Sequence, residues 1–149
     1  YQIVQGYQVR QVRAIATSAV SEASDGAEFC QRVRDEIGFD IEVIPARQEA
    51  ELAFYGVIRN FDVQGKQFAV ADIGGGSTEI ILASGHVIEE IYTTKLGAVR
   101  LTERHGGGRS WLGPEFQSLQ EDVQATLAEH IKKPPFQPHL LIGSGGTFT

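Results

Sequence analysis

The segment at residues 72–79, with sequence DIGGGSTE, constrains the fold of this chain more than any other feature. It joins two β-rich runs at 67–72 and 78–83, and it therefore predicts the turn of a β-hairpin. Three consecutive glycines destabilise a hairpin that a shorter turn would close, so they indicate close approach of the backbone to a ligand. Successive backbone amides and two hydroxyl groups are expected to face an anion there. The predicted phosphate-binding residues of this turn are Gly74, Gly75, Gly76, Ser77 and Thr78.

Two carboxylates, those of Asp72 and Glu79, flank the glycines on opposite sides of the turn. Both can then face one ligand and hold Mg²⁺, a cation that proteins bind through one or two carboxylates together with phosphate and water. The alternative is an ordinary glycine-rich hairpin with two solvated acids. The segment thus predicts a phosphate site with Asp72 and Glu79 as metal ligands.

A second glycine-rich segment follows the last predicted strand, at 139–142. Its position after a strand again presents backbone amides to an anion. Because a helical stretch separates the two segments, we interpret them as two sides of one nucleotide or phosphate-chain site, with a flexible terminus as the alternative. The predicted phosphate-binding residues of this second turn are Gly143, Ser144, Gly145, Gly146 and Thr147.

Hydrophobic periodicity predicts an α/β chain. The predicted elements are a strand within 9–17, a helix from Asp25 to Gly38, a strand at 39–43, a helix at about 47–60, the hairpin, a strand at 87–94, a helix at 96–104, a flexible loop at 106–108, a helix at 114–133 and a strand at 139–142. The Asp25 carboxylate is expected to cap its helix. The predicted inward residues are Phe29, Cys30, Val33 and Ile37 on the first helix, and Phe116, Leu119, Val123, Leu127 and Ile131 on the last.

Glycine is distributed unevenly, with 4 of the 17 glycines before residue 60 and 13 after it. This shift, with the polar stretch at 60–66, predicts two domains at 1–62 and 63–149. The net charge of −6 and the absence of a basic block argue against nucleic-acid binding. No apolar run approaches the roughly 18 residues of a membrane span, and a single cysteine, Cys30, fits a cytoplasmic setting.

Five segments in order resemble the exopolyphosphatase and guanosine pentaphosphate phosphohydrolase family, within the actin-like ATPase superfamily. They are 16–23 (ATSAVSEA), 49–52 (EAEL), 72–79, 96–103 (LGAVRLTE) and 143–147 (GSGGT). The resemblance implies an α/β fold of the actin-like ATPase (ribonuclease H-like) type, with parts of two half-domains whose mixed sheets are flanked by helices. It also implies Mg²⁺-dependent hydrolysis of the terminal phosphoanhydride of polyphosphate or guanosine pentaphosphate, and a homodimer in the full-length protein.

The same resemblance makes Glu49 the general base that activates the attacking water. The chain departs from the family at Ser21, where an arginine is usual, and at Ala46 and Gln48, where glycine and glutamate are usual. It also begins after the opening strands and first phosphate loop of the superfamily, so we expect an internal fragment that is nearly inactive alone. The alternatives are a kinase or ATPase of the same superfamily and a non-catalytic phosphate or alarmone sensor.

Overall fold

The computed structural model of the chain describes residues 2–7, 9–106 and 113–148. The chain forms two compact units, Tyr1–Pro45 and Ala46–Thr149. The predicted domain division at residues 62 and 63 stays a prediction, because compactness groups a helix with the sheet it packs against and does not by itself identify a half-domain.

The first unit contains a pair of short parallel strands. Its elements are α1 (Gln2–Gly6), β1 (Ala14–Ala16), α2 (Ser18–Ser21), α3 (Gly26–Ile37) and β2 (Ile41–Val43). Ala14 of β1 lies opposite Ile41 of β2 in a parallel register, and such a pair needs a crossover connection, which contains α3. Gly38 ends α3 with a φ of 78°, a left-handed conformation that glycine adopts without strain. The predicted order of strand, helix and strand is confirmed.

Two predictions for α3 are wrong. The Asp25 side chain makes no capping hydrogen bond; instead the Asp25 carbonyl accepts from the Phe29 amide at 2.9 Å. Phe29 and Ile37 were predicted to face a core, but they are 46% and 39% exposed. Two strands of three residues are too small to cover a helix of 12 residues, while Cys30 and Val33 are half-buried.

The second unit is built on a four-stranded mixed sheet with strand order β5-β4-β3-β6. Its elements are α4 (Ala46–Ile58), β3 (Gln67–Ile73), β4 (Thr78–Ser84), β5 (Val87–Thr94), α5 (Ala98–His105), α6 (Pro114–His130) and β6 (Leu140–Ser144). β3, β4 and β5 pair antiparallel in sequence order, whereas β6 pairs parallel to β3. The predicted hairpin and the predicted helices and strands are confirmed, with small shifts of their ends.

The core of the second unit lies between α4 and one face of this sheet. Ala50, Phe54 and Val57, spaced to share one face of α4, are all buried. The ring of Phe54 stacks on that of Phe68 in β3, with centroids 6.2 Å apart. Burial of one such side chain contributes about 1.5–3 kcal/mol. Val70 and Ile81 belong to the same cluster, which holds α4 against β3 and β4.

The last helix is less buried than predicted. Phe116 is 43% exposed, so its predicted inward position is wrong. The other four predicted inward residues are half-buried, and α6 ends at His130 rather than Lys133. α6 packs against α5 and the edge strand β5, which are too narrow to bury one face completely. Positions 107 and 108 of the predicted loop lie outside the described residues.

Within the described ranges, no helix combines the length and apolar character that crossing a membrane requires.

Candidate active site

The hairpin register places the two predicted metal ligands side by side. Asp72 of β3 lies directly opposite Glu79 of β4, two residues beyond the apolar pair Val70 and Ile81. Side chains alternate between faces along a strand, so all four project from the same face of the sheet. The two carboxylates therefore follow the hydrophobic core directly, on the face that α4 covers.

Glu79 is buried, with 1% of its surface exposed. Its pKa is raised from the ordinary 4.5 to about 7. Burial is the main cause, a hydrogen bond from the Ser77 side chain opposes it, and the negative charges of Glu49 and Asp72 add to the rise. Its Oε1 atom has no hydrogen-bond partner among the described residues. A buried oxygen without a donor is unfavourable unless a ligand, ion or water satisfies it.

Glu49, the predicted general base, lies in the first turn of α4 next to the buried Ala50. It is half-buried, and its charge acts on Glu79. The packing of α4 on the sheet thus brings Glu49, Asp72 and Glu79 into one electrostatic cluster, although 30 residues separate Glu49 from Glu79 along the chain.

The glycine turn between β3 and β4 is closed by a hydrogen bond from the Gly74 amide to the Ser77 carbonyl, at 3.0 Å. Gly75 is exposed, and Gly74 and Gly76 are half-buried, so the turn is open to a ligand. Ser77 and Thr78 are both buried, and the Thr78 hydroxyl donates to the Leu96 carbonyl at 2.5 Å. The hydroxyl hydrogen of Thr78 is thus engaged with the protein backbone.

The second glycine segment lies beside the first because β6 pairs parallel to β3, with Ser144 opposite Asp72. Gly145 has a φ of 92°, which side chains rarely adopt. A Cβ atom at Gly145 would lie 3.0 Å from Oδ1 of Asp72 and 2.5 Å from the Ile73 carbonyl oxygen, so only glycine permits this approach. The predicted residues Gly146 and Thr147 follow in an exposed position. Gly143 packs on the ring of Phe148, since a Cβ there would lie 2.5 Å from that ring.

The carboxylates of this site are the candidate ligands for a metal ion. Across the described ranges, no group of three or more His, Cys, Asp or Glu side chains is arranged to hold a metal. The pair of Asp72 and Glu79 remains, with one buried and unpartnered oxygen on Glu79. Two carboxylates beside a phosphate site suit Mg²⁺, which keeps waters and phosphate oxygens in its coordination shell.

Sequence reasoning assigned no role to two residues that contact the glycine turn. Gly97 lies so close that a Cβ atom there would collide with the carbonyl of Gly75. The Arg100 Nε atom donates to the Gly76 carbonyl at 2.8 Å. Both residues lie in the segment at 96–103, one of the five that resemble the family.

A model of the Ppx/GppA phosphatase family matches residues 1–148 of the chain. Exopolyphosphatase 2 of Mycobacterium tuberculosis is 36% identical over 149 residues, covering 96% of this chain and 46% of the relative. Guanosine-5'-triphosphate,3'-diphosphate pyrophosphatase of Vibrio atlanticus is 31% identical over 117 residues, covering 78% of this chain and 23% of the relative. The chain thus spans less than half the length of these two relatives.

Solved structures show the same likeness. An exopolyphosphatase from Cytophaga hutchinsonii superposes with a TM-score of 0.88 at 29% identity, covering 99% of this chain and 47% of that one. The PPX-GPPA enzyme of Aquifex aeolicus superposes with a TM-score of 0.74 at 32% identity, covering 99% of this chain and 48% of that one. These likenesses confirm the predicted α/β fold of the actin-like ATPase type.

Proposed function

Since the chain belongs to the Ppx/GppA phosphatase family, we propose that the protein hydrolyses the terminal phosphoanhydride bond of inorganic polyphosphate or guanosine pentaphosphate. The names of its relatives supply these two substrates. The observation that supports the reaction is the convergence of Glu49, Asp72, Glu79 and the two glycine turns at one end of β3. Phosphoryl transfer depends mainly on positioning and on neutralising charge, which such a site can supply.

In this proposal Glu49 is the general base. Its carboxylate accepts a proton from a water molecule, whose oxygen forms a bond to the terminal phosphorus. The bond from that phosphorus to the bridging oxygen breaks, and the shortened phosphate chain leaves with the bridging oxygen. The other product is inorganic phosphate, and Glu49 then returns its proton to solvent. A base on a helix packed against the sheet is held more rigidly than one on a loop.

Asp72 and Glu79 hold Mg²⁺ in this proposal, with Ser77 orienting Glu79 through its hydrogen bond. When bound, the ion neutralises charge on the phosphate oxygens. Glu79 is buried beside two other carboxylates, so the ionised form of Glu79 is unfavourable until a cation is present. The two glycine turns bind the phosphate oxygens through their amides.

The substitution Glu49→Gln in the full-length protein tests the assignment of the base. It keeps the size of the side chain but removes the basic oxygen, so phosphate release from polyphosphate and guanosine pentaphosphate should fall by about 10²- to 10⁴-fold at nearly unchanged affinity. Glu51→Gln is the matched control, because Glu51 lies on the same helix but pairs with Arg47 at 3.4 Å.

Near-normal turnover of Glu49→Gln would refute the role of Glu49. Binding of both compounds by the wild type without any phosphate release would instead favour a sensor. The homodimer and the cytoplasmic setting stay predictions.

A further inference from the structure

The amino end of α5 donates hydrogen bonds to the carbonyls of all three glycines in the glycine turn. The Ala98 amide donates to the Gly74 carbonyl at 2.9 Å. The amides of Val99 and Arg100 both donate to the Gly75 carbonyl, at 2.9 and 3.1 Å. The Gly76 carbonyl accepts from the Arg100 side chain. The first-turn amides of a helix need acceptors outside the helix, and here the glycine turn supplies them.

These bonds determine where the amides of the turn point. In a trans peptide the carbonyl of one residue and the N–H of the next point in opposite directions. The described residues contain no cis peptide bond. With the carbonyls of the three glycines held toward α5, the N–H groups of Gly75, Gly76 and Ser77 are directed away from it. Among the described residues, none of these three amides donates to a backbone carbonyl, so they are available to an anion.

Gly97 allows α5 to come this close. It is buried, and a Cβ atom there would collide with the backbone of Gly75 and Gly76. On the other side, a Cβ at Gly75 would lie 3.3 Å from the Val99 side chain. The helix and the turn are therefore in contact backbone to backbone, which leaves little freedom for the turn to rotate its peptide groups.

The Arg100 side chain donates to the Gly76 carbonyl, the one carbonyl of the three glycines to which no described backbone amide of α5 donates. The next amide of α5, that of Leu101, already donates to the Gly97 carbonyl at 2.8 Å. The Gly76 carbonyl therefore accepts from a side chain, the half-buried Arg100. The peptide group that Arg100 holds is the one that carries the Ser77 N–H, and the Ser77 side chain bonds to Glu79.

We propose that Arg100 is a positioning residue, which holds the peptide between Gly76 and Ser77 so that its N–H faces the phosphate of the substrate. This role rests on the proposed function, since it requires that the glycine turn bind a phosphate chain. It differs from a charge clamp, because the atom that acts is Nε and its partner is a backbone carbonyl, not the ligand.

Two substitutions separate the donor from the charge. In Arg100→Gln, Nε2 stands the same number of bonds from Cα as Nε of arginine, so an N–H donor is kept and the charge is lost. In Arg100→Met, a methyl group takes that place, and both are lost. The KM and kcat of the full-length protein are measured with inorganic tripolyphosphate at saturating Mg²⁺, beside the thermal unfolding midpoint. Arg59→Met, at an exposed arginine just after α4, is the control for loss of a surface charge.

We expect Arg100→Met to raise KM about 10-fold, the worth of one hydrogen bond to a positioned group. Arg100→Gln should stay within about 3-fold of the wild type, and Arg59→Met should not differ from it. A similar rise of KM in both Arg100 variants would overturn the proposal in favour of a charge clamp. Unchanged KM with a lowered unfolding midpoint in both would show a purely structural role and overturn it as well. A wild type that releases no phosphate would refute the proposed function, and the role of Arg100 with it.

Discussion

Replacing Glu79 by glutamine tests how the buried carboxylate couples protonation to stability. Glu79 has 1% of its surface exposed, and burial is the largest cause of its raised pKa. Glutamine has nearly the same shape but stays neutral at every pH. The substitution therefore removes the ionisation and leaves the packing of β4 almost unchanged.

The magnitude follows from the pKa values. Unfolding returns the group from about 7 to 4.5, and each tenfold change in proton affinity is worth about 1.4 kcal/mol. The folded state binds more protons than the unfolded state between these values, so the free energy of unfolding falls as pH rises from about 4.5 through about 7 and is level above that. Ionised Glu79 thus destabilises the metal-free fold by about 3 kcal/mol at pH 8.

The measurement is urea unfolding of the full-length protein in EDTA at pH 4.5 and pH 8, followed by circular dichroism. We expect Glu79→Gln to be more stable than the wild type by up to about 3 kcal/mol at pH 8, and the difference to shrink toward zero at pH 4.5. Added Mg²⁺ should stabilise the wild type at pH 8 and act weakly on the variant. Glu89→Gln, at an exposed position of β5, is the control and should show neither effect.

Two results would refute the reasoning. A loss of stability at pH 8 would mean that the ionised carboxylate has partners that satisfy it. The same pH dependence in wild type and variant would assign the dependence to another group.

Three further predictions concern the metal, the contact of α5 with the glycine turn, and the contact of α5 with α6. Asp72→Asn should raise the Mg²⁺ concentration needed for half-maximal phosphate release by about 10-fold or more, and an unchanged metal titration would place the ligands elsewhere. Gly97→Ala should lower the free energy of unfolding by about 1–3 kcal/mol in urea, because its Cβ collides with Gly75; Gly56→Ala, with open space around it, should not. Asp122→Asn removes the hydrogen bonds that Asp122 accepts from Arg104 and His105, at 2.7 and 2.8 Å. This substitution should lower the free energy of unfolding by about 1 kcal/mol or less. His105 and then Arg104 lower the pKa of Asp122, so this stabilisation should be lost in the wild type as pH falls through that lowered pKa, and titration of the unfolding midpoint checks it.

Local patterns predicted the hairpin because its determinants are close in sequence. The length of the glycine turn between the two apolar runs sets the register, and a slip by one residue would move every side chain of a strand to the other face. The placement of Asp72 opposite Glu79 follows from that register. The same reasoning failed at Phe29 and Phe116, which are exposed. A helical spacing identifies which residues share a face, but it does not say whether another element covers that face.

The remaining features of the candidate site depend on contacts between distant parts of the chain. Glu49 reaches the site only because the apolar side chains of α4 are buried against β3 and β4. Glu79 projects from the face of the sheet that α4 covers, so its burial also depends on the tertiary structure.

The sequence alone determined the hairpin, its two facing carboxylates and its glycine turn, because short-range sterics and side-chain alternation act within a few residues. Only the tertiary structure decided that β6 lies parallel to β3, that Gly145 meets Asp72, and that α5 directs the peptides of the glycine turn. Those arrangements come from buried area and backbone hydrogen bonds between segments up to about 70 residues apart. Apolar burial has no preferred direction, and every residue offers the same backbone donor and acceptor. A local sequence pattern therefore does not identify which distant segments will pack or pair with each other.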